Sequence, residues 1–228
     1  MKPQGTAICW FYNDLRLKYN PAFAMACQYE HVIPLYIYDL QSSIGEASKT
    51  WLHKSLEQLD ESLVKHNSRL VVESEDSLEL LRRYIKKHNV QAVFWNRRYE
   101  PQLIKRDVKI KKQLTQLGCT VESFKASVLN EPWEILKANG TPYMVYTAYW
   151  KRFVTVPLDR YKTFSKIPSL PKGLNIAKNQ INTLKLNPQS RWDLKLYQDW
   201  NPGAKSAQKI LKNFLQNKIQ DYQKNRDI

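Results

Sequence analysis

At 228 residues and 27.0 kDa, with 43% apolar and 25% charged residues, the chain fits one large domain or one compact domain with an appendage. This excludes a long multidomain enzyme and disfavours wholesale disorder. The three cysteines form no CxxC pair, and no apolar run approaches the roughly 20 residues of a membrane helix, so we expect reduced thiols, a cytoplasmic location and no membrane partner. The formal net charge is +15, and residues 151–228 hold 16 basic and 5 acidic side chains, which predicts a polyanionic partner such as DNA or RNA.

The first 125 residues alternate between short apolar runs and segments with helical periodicity. The apolar runs are typical of buried strands, and they are Thr6–Phe11, Val32–Tyr38, Leu70–Val72, Ala92–Trp95 and Val121–Phe124. Between them, apolar residues recur at three- and four-residue steps, as on one face of a helix, most clearly in Lys49–His66. Pro21 fits the first turn of a helix over Pro21–Gln28. Strand and helix repeated four times predict an α/β fold: a Rossmann-like, doubly wound five-stranded parallel sheet with helices on both faces.

Polar side chains stand where the chain leaves three of these predicted strands. They are Asn13 and Asp14 after the first strand, Asp39 after the second, and Asn96, Arg97 and Arg98 after the fourth. Ligands on parallel sheets bind outside the carboxyl ends of the strands, so these residues predict a ligand crevice. The sequence contains neither GxGxxG nor Walker A, and a dinucleotide or triphosphate cradle of the usual type is therefore not supported.

Beyond Val154 the alternation breaks. Prolines at 157, 168, 171 and 188 interrupt the pattern, and Ser, Lys and Asn dominate, which predicts a long connector to Trp200 without helical structure. After it, an apolar stripe predicts a C-terminal helix over Ala204–Asn225. Little sequence follows that could cover this apolar face, so we expect a partner domain.

Six blocks of sequence in the same order resemble the DNA photolyase/cryptochrome family. The blocks are Trp10–Leu17 with Asn20-Pro21-Ala22, Val32–Asp39, Ala47–Leu56, Phe94–Pro101, Glu131-Pro132-Trp133 with Thr141–Phe153, and Trp200–Gly203 with Tyr222–Asp227. The resemblance implies an antenna-binding α/β domain over residues 1–130, a domain-closing helix and interdomain linker over 131–200, and over 201–228 the first helix leading to the FAD-binding domain. Family members are about twice this length, and their second half is the helical domain that binds FAD.

The resemblance implies a function for the chain as the N-terminal part of a deoxyribodipyrimidine photo-lyase, which repairs cyclobutane pyrimidine dimers in DNA with light. FAD would enter only through the helical domain, so we assign no catalytic residue here and expect the chain to be inactive alone. A separately encoded FAD-binding domain is a possible partner, as is DNA. The open alternatives are a cryptochrome-type photoreceptor and a stand-alone nucleotide- or nucleic-acid-binding module.

The resemblance also implies a crevice for a light-harvesting chromophore. The positions that match its lining or bracing residues are Asn13, Asp14, Asp39, Lys49, Asn96, Arg97, Arg98 and Glu100. In this scheme Asp39 accepts a hydrogen bond from the chromophore, while Lys49 and the two arginines offset phosphate or glutamyl charge. Leu103 falls where folate-binding members carry a glutamate, so deazaflavin or FMN is favoured over folate.

Each assignment has a structural alternative. Asp14 could form a fixed ion pair with Arg16, Glu100 could be a charge at a helix N-terminus, and Asn96 could be only a turn residue. None of the four histidines has a partner at metal-ligand spacing, so we assign no metal. We expect the tryptophans in apolar runs to be core residues, namely Trp51, Trp95, Trp133 and Trp150.

Overall fold

The computed structural model describes residues 3–39, 44–157, 166–171, 180–190 and 192–226. A five-stranded sheet forms its centre, with all four strand pairs parallel and the strand order β3-β2-β1-β4-β5. The strands are β1 (Thr6–Phe11), β2 (His31–Ile37), β3 (Val71–Glu73), β4 (Val90–Asn96) and β5 (Thr120–Phe124). The predicted parallel sheet is therefore confirmed, with strand ends displaced by no more than two residues.

Helices cover both faces of the sheet because successive side chains of a strand point to opposite sides. On β1, Ala7, Cys9 and Phe11 belong to one buried cluster, while Ile8 and Trp10 belong to the other. The first cluster takes in α1 (Pro21–Ala26) and α2 (Glu46–Val64), and the second α3 (Ser77–His88) and α4 (Pro101–Gln116). This is the doubly wound arrangement that the sequence predicts.

The sequence encodes the helix starts next to the crevice. The side chain of Asn20 accepts a hydrogen bond of 3.0 Å from the backbone N–H of Phe23 and caps α1, and Pro21 occupies the first turn. Glu100 precedes α4, which begins at Pro101. Two helix starts therefore lie close after the chain leaves β1 and β4, and they hold the residues of both loops.

The C-terminal region differs from its prediction. After α5 (Tyr146–Phe153), the described residues of the connector form 3-10 turns at Ile181–Leu184 and Trp192–Lys195 and the short helix α6 (Leu196–Asp199). The prediction of a connector without helical structure is therefore wrong for these residues. The turns form because Ile181 and Leu186 pack into the α1/α2 cluster and Asp193 is buried. Residues 158–165, 172–179 and 191 lie outside the described part of the chain.

The predicted helix over Ala204–Asn225 is divided into two. It forms α7 (Ala204–Asn217), a 3-10 turn at Ile219–Asp221 and α8 (Tyr222–Asn225), because the chain leaves helical geometry at Lys218. Among the described residues, no helix is long and apolar enough to cross a membrane.

The tryptophans do not share one environment. Trp95 is 1% exposed and belongs to the core, as expected. Trp51, Trp133 and Trp150 are 38%, 57% and 46% exposed, so the core assignment is wrong for these three. Their apolar neighbours in sequence lie on helix faces or loops outside the sheet, and local composition alone could not distinguish these surfaces from a core.

Candidate functional site

A cleft of about 530 Å³ opens at the carboxyl ends of β1 and β4. Because these strands are parallel neighbours, the loops that follow them meet at one edge of the sheet. Six of the eight residues predicted for the crevice line it, namely Asn13, Asp14, Asn96, Arg97, Arg98 and Glu100, and the other lining residues are Tyr12, Arg16, Tyr99 and Ser127.

Asn96 and Asp14 form the polar floor of the cleft. The side-chain amide of Asn96 donates to the Asp14 carboxylate and to Asn20 Oδ1, the latter over 2.8 Å, and Asn96 Oδ1 accepts from the backbone N–H of Ala22 over 3.2 Å. The Asp14 carboxylate also accepts from the Tyr12 N–H over 2.9 Å. Asn96 is therefore more than a turn residue, since it ties the end of β4 to the first loop and to α1.

Asp14 and Arg16 do not form the ion pair that was the structural alternative for Asp14. The guanidinium of Arg16 instead donates to the backbone carbonyls of Tyr19 and Ala126, the latter over 3.0 Å. Arg16 thereby links the loop after β1 to the loop after β5.

Arg98 and Glu100 form an ion pair at the rim of the cleft. The hydrogen bond from Arg98 lowers the pKa of Glu100 to about 2, and the backbone N–H of Tyr99 donates to the same carboxylate over 3.1 Å. Glu100 is half-exposed, whereas Arg98 is more covered and lies 5.9 Å from the centre of the Tyr12 ring. An anionic ligand would therefore have to compete with Glu100 for the guanidinium of Arg98.

Arg97 is held more deeply. It forms an ion pair with Glu131, which is 4% exposed, and donates to the side chain of Ser123 over 3.2 Å. Its guanidinium also lies 5.9 Å from the centre of the Trp133 ring. These contacts engage Arg97 in the wall of the cleft and attach the segment after β5 to the sheet.

Asp39 and Lys49 do not line the cleft. Lys49 forms an ion pair of 2.6 Å with Glu46 in the first turn of α2, and that hydrogen bond raises the pKa of Lys49. Burial raises the pKa of Tyr36 on β2, an effect to which Asp39 adds and which Arg98 opposes. Asp39 follows β2, the strand that neighbours β1 in the sheet. Its role as a ligand contact stays a prediction.

Sequence reasoning missed an aromatic wall behind the cleft. The Tyr12 ring lies 4.5 Å from Trp10, which lies 5.7 Å from Trp95. Arg106 covers Tyr12 and Trp10 at 4.9 and 5.2 Å and hydrogen-bonds the Tyr12 hydroxyl. The signal was available, since Tyr12 directly follows β1 and lies two residues after Trp10, which predicts that both side chains point to the same side of the sheet.

Asp107 completes this wall. Its carboxylate accepts a hydrogen bond of 3.1 Å from Trp95 Nε1 and another from Arg106. Burial raises the pKa of both Asp107 and Tyr12. Of this wall only Tyr12 lines the cleft, so the polar floor and the charged rim supply most of the surface that a ligand would meet.

Among the described residues, no group of three or more His, Cys, Asp and Glu side chains could hold a metal ion.

Comparison with known proteins accounts for the fold and the cleft together. The sequence model of the DNA photolyase family matches residues 7–171. The chain is 34% identical to a deoxyribodipyrimidine photo-lyase of Agrobacterium fabrum, over 97% of this chain and 47% of the relative. It is 32% identical to cryptochrome-1 of Arabidopsis thaliana, over 97% of this chain and 34% of that protein.

A solved structure shows the same similarity. A bacterial class III photolyase from Agrobacterium tumefaciens superposes with a TM-score of 0.91 at 33% identity, over 99% of this chain and 47% of that one. The chain spans about half the length, or less, of these relatives. The matched segment contains the five-stranded sheet and the whole lining of the cleft. The chain therefore belongs to the DNA photolyase family, in which it corresponds to the N-terminal α/β domain.

Proposed function

We propose that this chain is the light-harvesting domain of a deoxyribodipyrimidine photo-lyase, and that its cleft binds a deazaflavin or FMN rather than a folate. The observation that supports this most directly is the cleft itself, which combines the Tyr12 wall with the Arg98 rim. Its volume of about 530 Å³ falls within the range typical of small-molecule sites. Asp39 and Lys49 remain proposed contacts on the β2 side.

The chain's residues would divide the binding between them. Tyr12 would contribute apolar lining next to the chromophore, and Asn13 is exposed beside it as a polar contact. Arg98 would exchange its ion pair with Glu100 for one with the ligand's phosphate, because a guanidinium can donate two parallel hydrogen bonds to a phosphate. Arg97, Asp14 and Asn96 would hold the loops in place.

We assign repair of pyrimidine dimers in DNA to the whole protein. When FAD is bound in the helical domain of such a protein, in reduced form, it supplies the electron that splits the dimer. We propose residues 1–130 as the antenna domain, 131–200 as the closing helix and linker, and 201–228 as the helix that leads to the FAD domain. Three buried, unbridged cysteines are consistent with a cytoplasmic location.

Titration of the chain with FMN and with riboflavin, which lacks the phosphate, tests the chromophore assignment. The double variant Arg98→Gln, Glu100→Gln removes the rim guanidinium without leaving Glu100 unpaired. We expect it to weaken FMN binding roughly tenfold and to leave riboflavin unchanged, because only FMN carries the phosphate. The matched control, Arg83→Gln with Glu75→Gln, removes the ion pair between Arg83 on α3 and Glu75 in the segment before it; neither residue lines the cleft, so this control should change the affinity for neither flavin. Equal weakening by both pairs, or no flavin binding, would contradict the proposal.

Light-dependent loss of dimers from a UV-irradiated oligonucleotide tests the repair assignment. The 228-residue chain alone should bind no stoichiometric FAD and repair nothing, whereas addition of a helical FAD domain in trans should restore repair. Robust repair by the chain alone would contradict the division of labour between the domains.

A cryptochrome-type photoreceptor is the second candidate, favoured by the 32% identity to cryptochrome-1. Chromophore binding with no repair by the complete two-domain protein would support it over a photo-lyase. Nucleotide binding without photochemistry would support a stand-alone module.

A further inference from the structure

The cation of Arg106 lies against two aromatic rings at the cleft. Its guanidinium carbon is 4.9 Å from the centre of the Tyr12 ring and 5.2 Å from the centre of the Trp10 ring. The guanidinium also donates a hydrogen bond to the Tyr12 hydroxyl. Arg106 itself does not line the cleft. Its contacts are therefore with the two rings and not with a ligand in the cleft.

The two rings are electron donors beside the proposed chromophore. An aromatic side chain next to an excited ring system can lose one electron to it, and the electron returns when the pair recombines. The excitation is then lost as heat and is not passed on. Tyr12 lines the cleft, and the centre of the Trp10 ring lies 4.5 Å from that of Tyr12. A light-harvesting chromophore in this cleft therefore needs protection from both rings.

Arg106 opposes the loss of an electron from either ring. An oxidised ring carries a positive charge, and a fixed cation at these distances raises the free energy of that state. The unoxidised rings, by contrast, attract the cation through their π faces. The hydrogen bond from Arg106 also withdraws electron density from the Tyr12 oxygen, so the phenol is harder to oxidise.

The surroundings of the rings also hinder the proton loss that accompanies oxidation. Trp10 Nε1 is buried, and no hydrogen-bond acceptor meets it within the described part of the chain. The Tyr12 hydroxyl donates to Asp107 over 3.4 Å, which is long for a bond between two oxygens. The same carboxylate is shared with Trp95 Nε1 and Arg106. Oxidation would therefore leave a positive charge on the ring, where Arg106 repels it.

We propose that Arg106 protects the excited state of a chromophore in the cleft by suppressing electron transfer from Tyr12 and Trp10. In the suppressed step one electron passes from a ring to the excited chromophore, and the hydroxyl proton of Tyr12 passes to Asp107. Arg106 is a positioning residue, because it acts through the two rings. The inference rests on the proposed function, since it takes a flavin as the occupant of the cleft.

Asp107 carries the opposite charge of the same ion pair, which makes the proposal testable. Its carboxylate accepts a hydrogen bond of 2.9 Å from Arg106, and its side chain is 11% exposed. A carboxylate beside the Tyr12 hydroxyl favours electron loss, both by its charge and as the proton acceptor. Removal of Arg106 and removal of Asp107 should therefore act in opposite directions. Simple loosening of the wall would act in the same direction in both variants.

The fluorescence lifetime of FMN bound to the full chain is the measurement. All variants carry Tyr99→Phe, because Tyr99 also lines the cleft. Arg106→Gln should shorten the lifetime roughly threefold or more, whereas Asp107→Asn should leave it unchanged or lengthen it. The matched control is Lys111→Gln on the same helix, where the cation lies 5.9 Å from the centre of the Trp95 ring. This control should change the lifetime by less than about a fifth.

Removal of both donors isolates the route of the effect. With Tyr12→Phe and Trp10→Phe the lifetime should be longest, and further addition of Arg106→Gln should no longer shorten it. Thermal unfolding should show that every variant is folded at the temperature of the measurement. Shorter lifetimes in both Arg106→Gln and Asp107→Asn would overturn the proposal, as would an undiminished effect of Arg106→Gln without the two donors.

A measurement without flavin separates this inference from the proposed function. One-electron oxidation of the ligand-free chain by photogenerated tris-bipyridine ruthenium, followed by peptide mass spectrometry, reports how readily Tyr12 and Trp10 are oxidised. Arg106→Gln should raise their oxidised fraction roughly threefold, and Asp107→Asn should not raise it. A chain that binds no FMN but shows this difference would refute the flavin assignment and support protection of the rings by Arg106. Equal oxidation in all variants would overturn the protective role.

Discussion

The sheet domain and the C-terminal region use similar apolar residues in opposite ways. In the sheet, Trp10 and Trp95 are 1% exposed and helices from the chain itself cover both faces. The described helices α5, α6, α7 and α8 contain no buried residue, and Trp200 and Ile210 are 61% and 56% exposed. On α5 the rings of Tyr146, Trp150 and Phe153 stack on one another instead of inserting into a core.

This difference indicates where the stability of the chain comes from. Burial of apolar surface is the main favourable term in folding, and within the described residues it is concentrated in the two clusters that flank the sheet. Among the described residues, the C-terminal helices contact α2 where the Tyr197 hydroxyl of α6 hydrogen-bonds Thr50 over 2.6 Å and where Gly203, which precedes α7, approaches Gln58. Exposed apolar helix faces of this kind are typical of surfaces that contact another domain or protein.

The largest expected effect comes from a pair of tryptophan substitutions, one in each region. Trp95→Ala should lower the free energy of unfolding by roughly 3–5 kcal/mol, because it leaves a cavity beside Trp10 and removes the bond to Asp107. Trp150→Ala on α5 should change it by about 0.5 kcal/mol or less. Urea denaturation followed by circular dichroism measures both. If both variants lost a similar amount of unfolding free energy, α5 would belong to the cooperative core and the two regions would not differ as described.

A smaller effect should mark the boundary between the two regions. Glu131 is buried and pairs with Arg97, so Glu131→Gln should cost about 1–3 kcal/mol through a weakened charge-assisted bond. The control is Glu46→Gln, which removes the exposed partner of Lys49 and should cost no more than about 1 kcal/mol. Denaturant titration of both variants is the measurement. Equal costs would mean that Glu131 does not anchor the segment after β5.

The smallest effect concerns pH and the Arg98–Glu100 pair. The folded-state pKa of Glu100 is about 2, below its ordinary value of 4.5, so the pair stabilises the fold above pH 4.5 and its contribution declines as the pH falls toward 2. Because Glu100 is half-exposed, we expect Glu100→Gln to cost about 1 kcal/mol or less at pH 7.

Thermal unfolding of the Glu100 variant and its parent from pH 7 to pH 3 should show this difference shrinking with acidity. Glu79→Gln, which removes the exposed partner of Arg82 on α3, is the control. A difference that grows on acidification would contradict the pKa assignment. If the stability difference is small at every pH, surface charge pairs contribute little to the stability of this chain beside the burial of apolar surface in the sheet domain.

The fold and the location of the cleft could both be predicted from the amino-acid sequence. The alternation of apolar runs and helical stripes requires a parallel sheet, and the polar residues at the ends of β1 and β4 must then meet at one edge. The start of α1 is also predictable, because a capping residue, Asn20, and a first-turn proline, Pro21, are signals that can be recognised in the local sequence. The six blocks of family resemblance cover nearly all of this, including most of the cleft lining.

The three-dimensional structure was needed to show which polar side chains bind other parts of the protein and which face the cleft. Asn96 and Arg97 are engaged by partners up to 82 residues away in sequence, and the bond from Arg16 to Ala126 spans 110 residues. Such partnerships depend on distances in space between segments remote in sequence, and periodicity and composition carry no information about them.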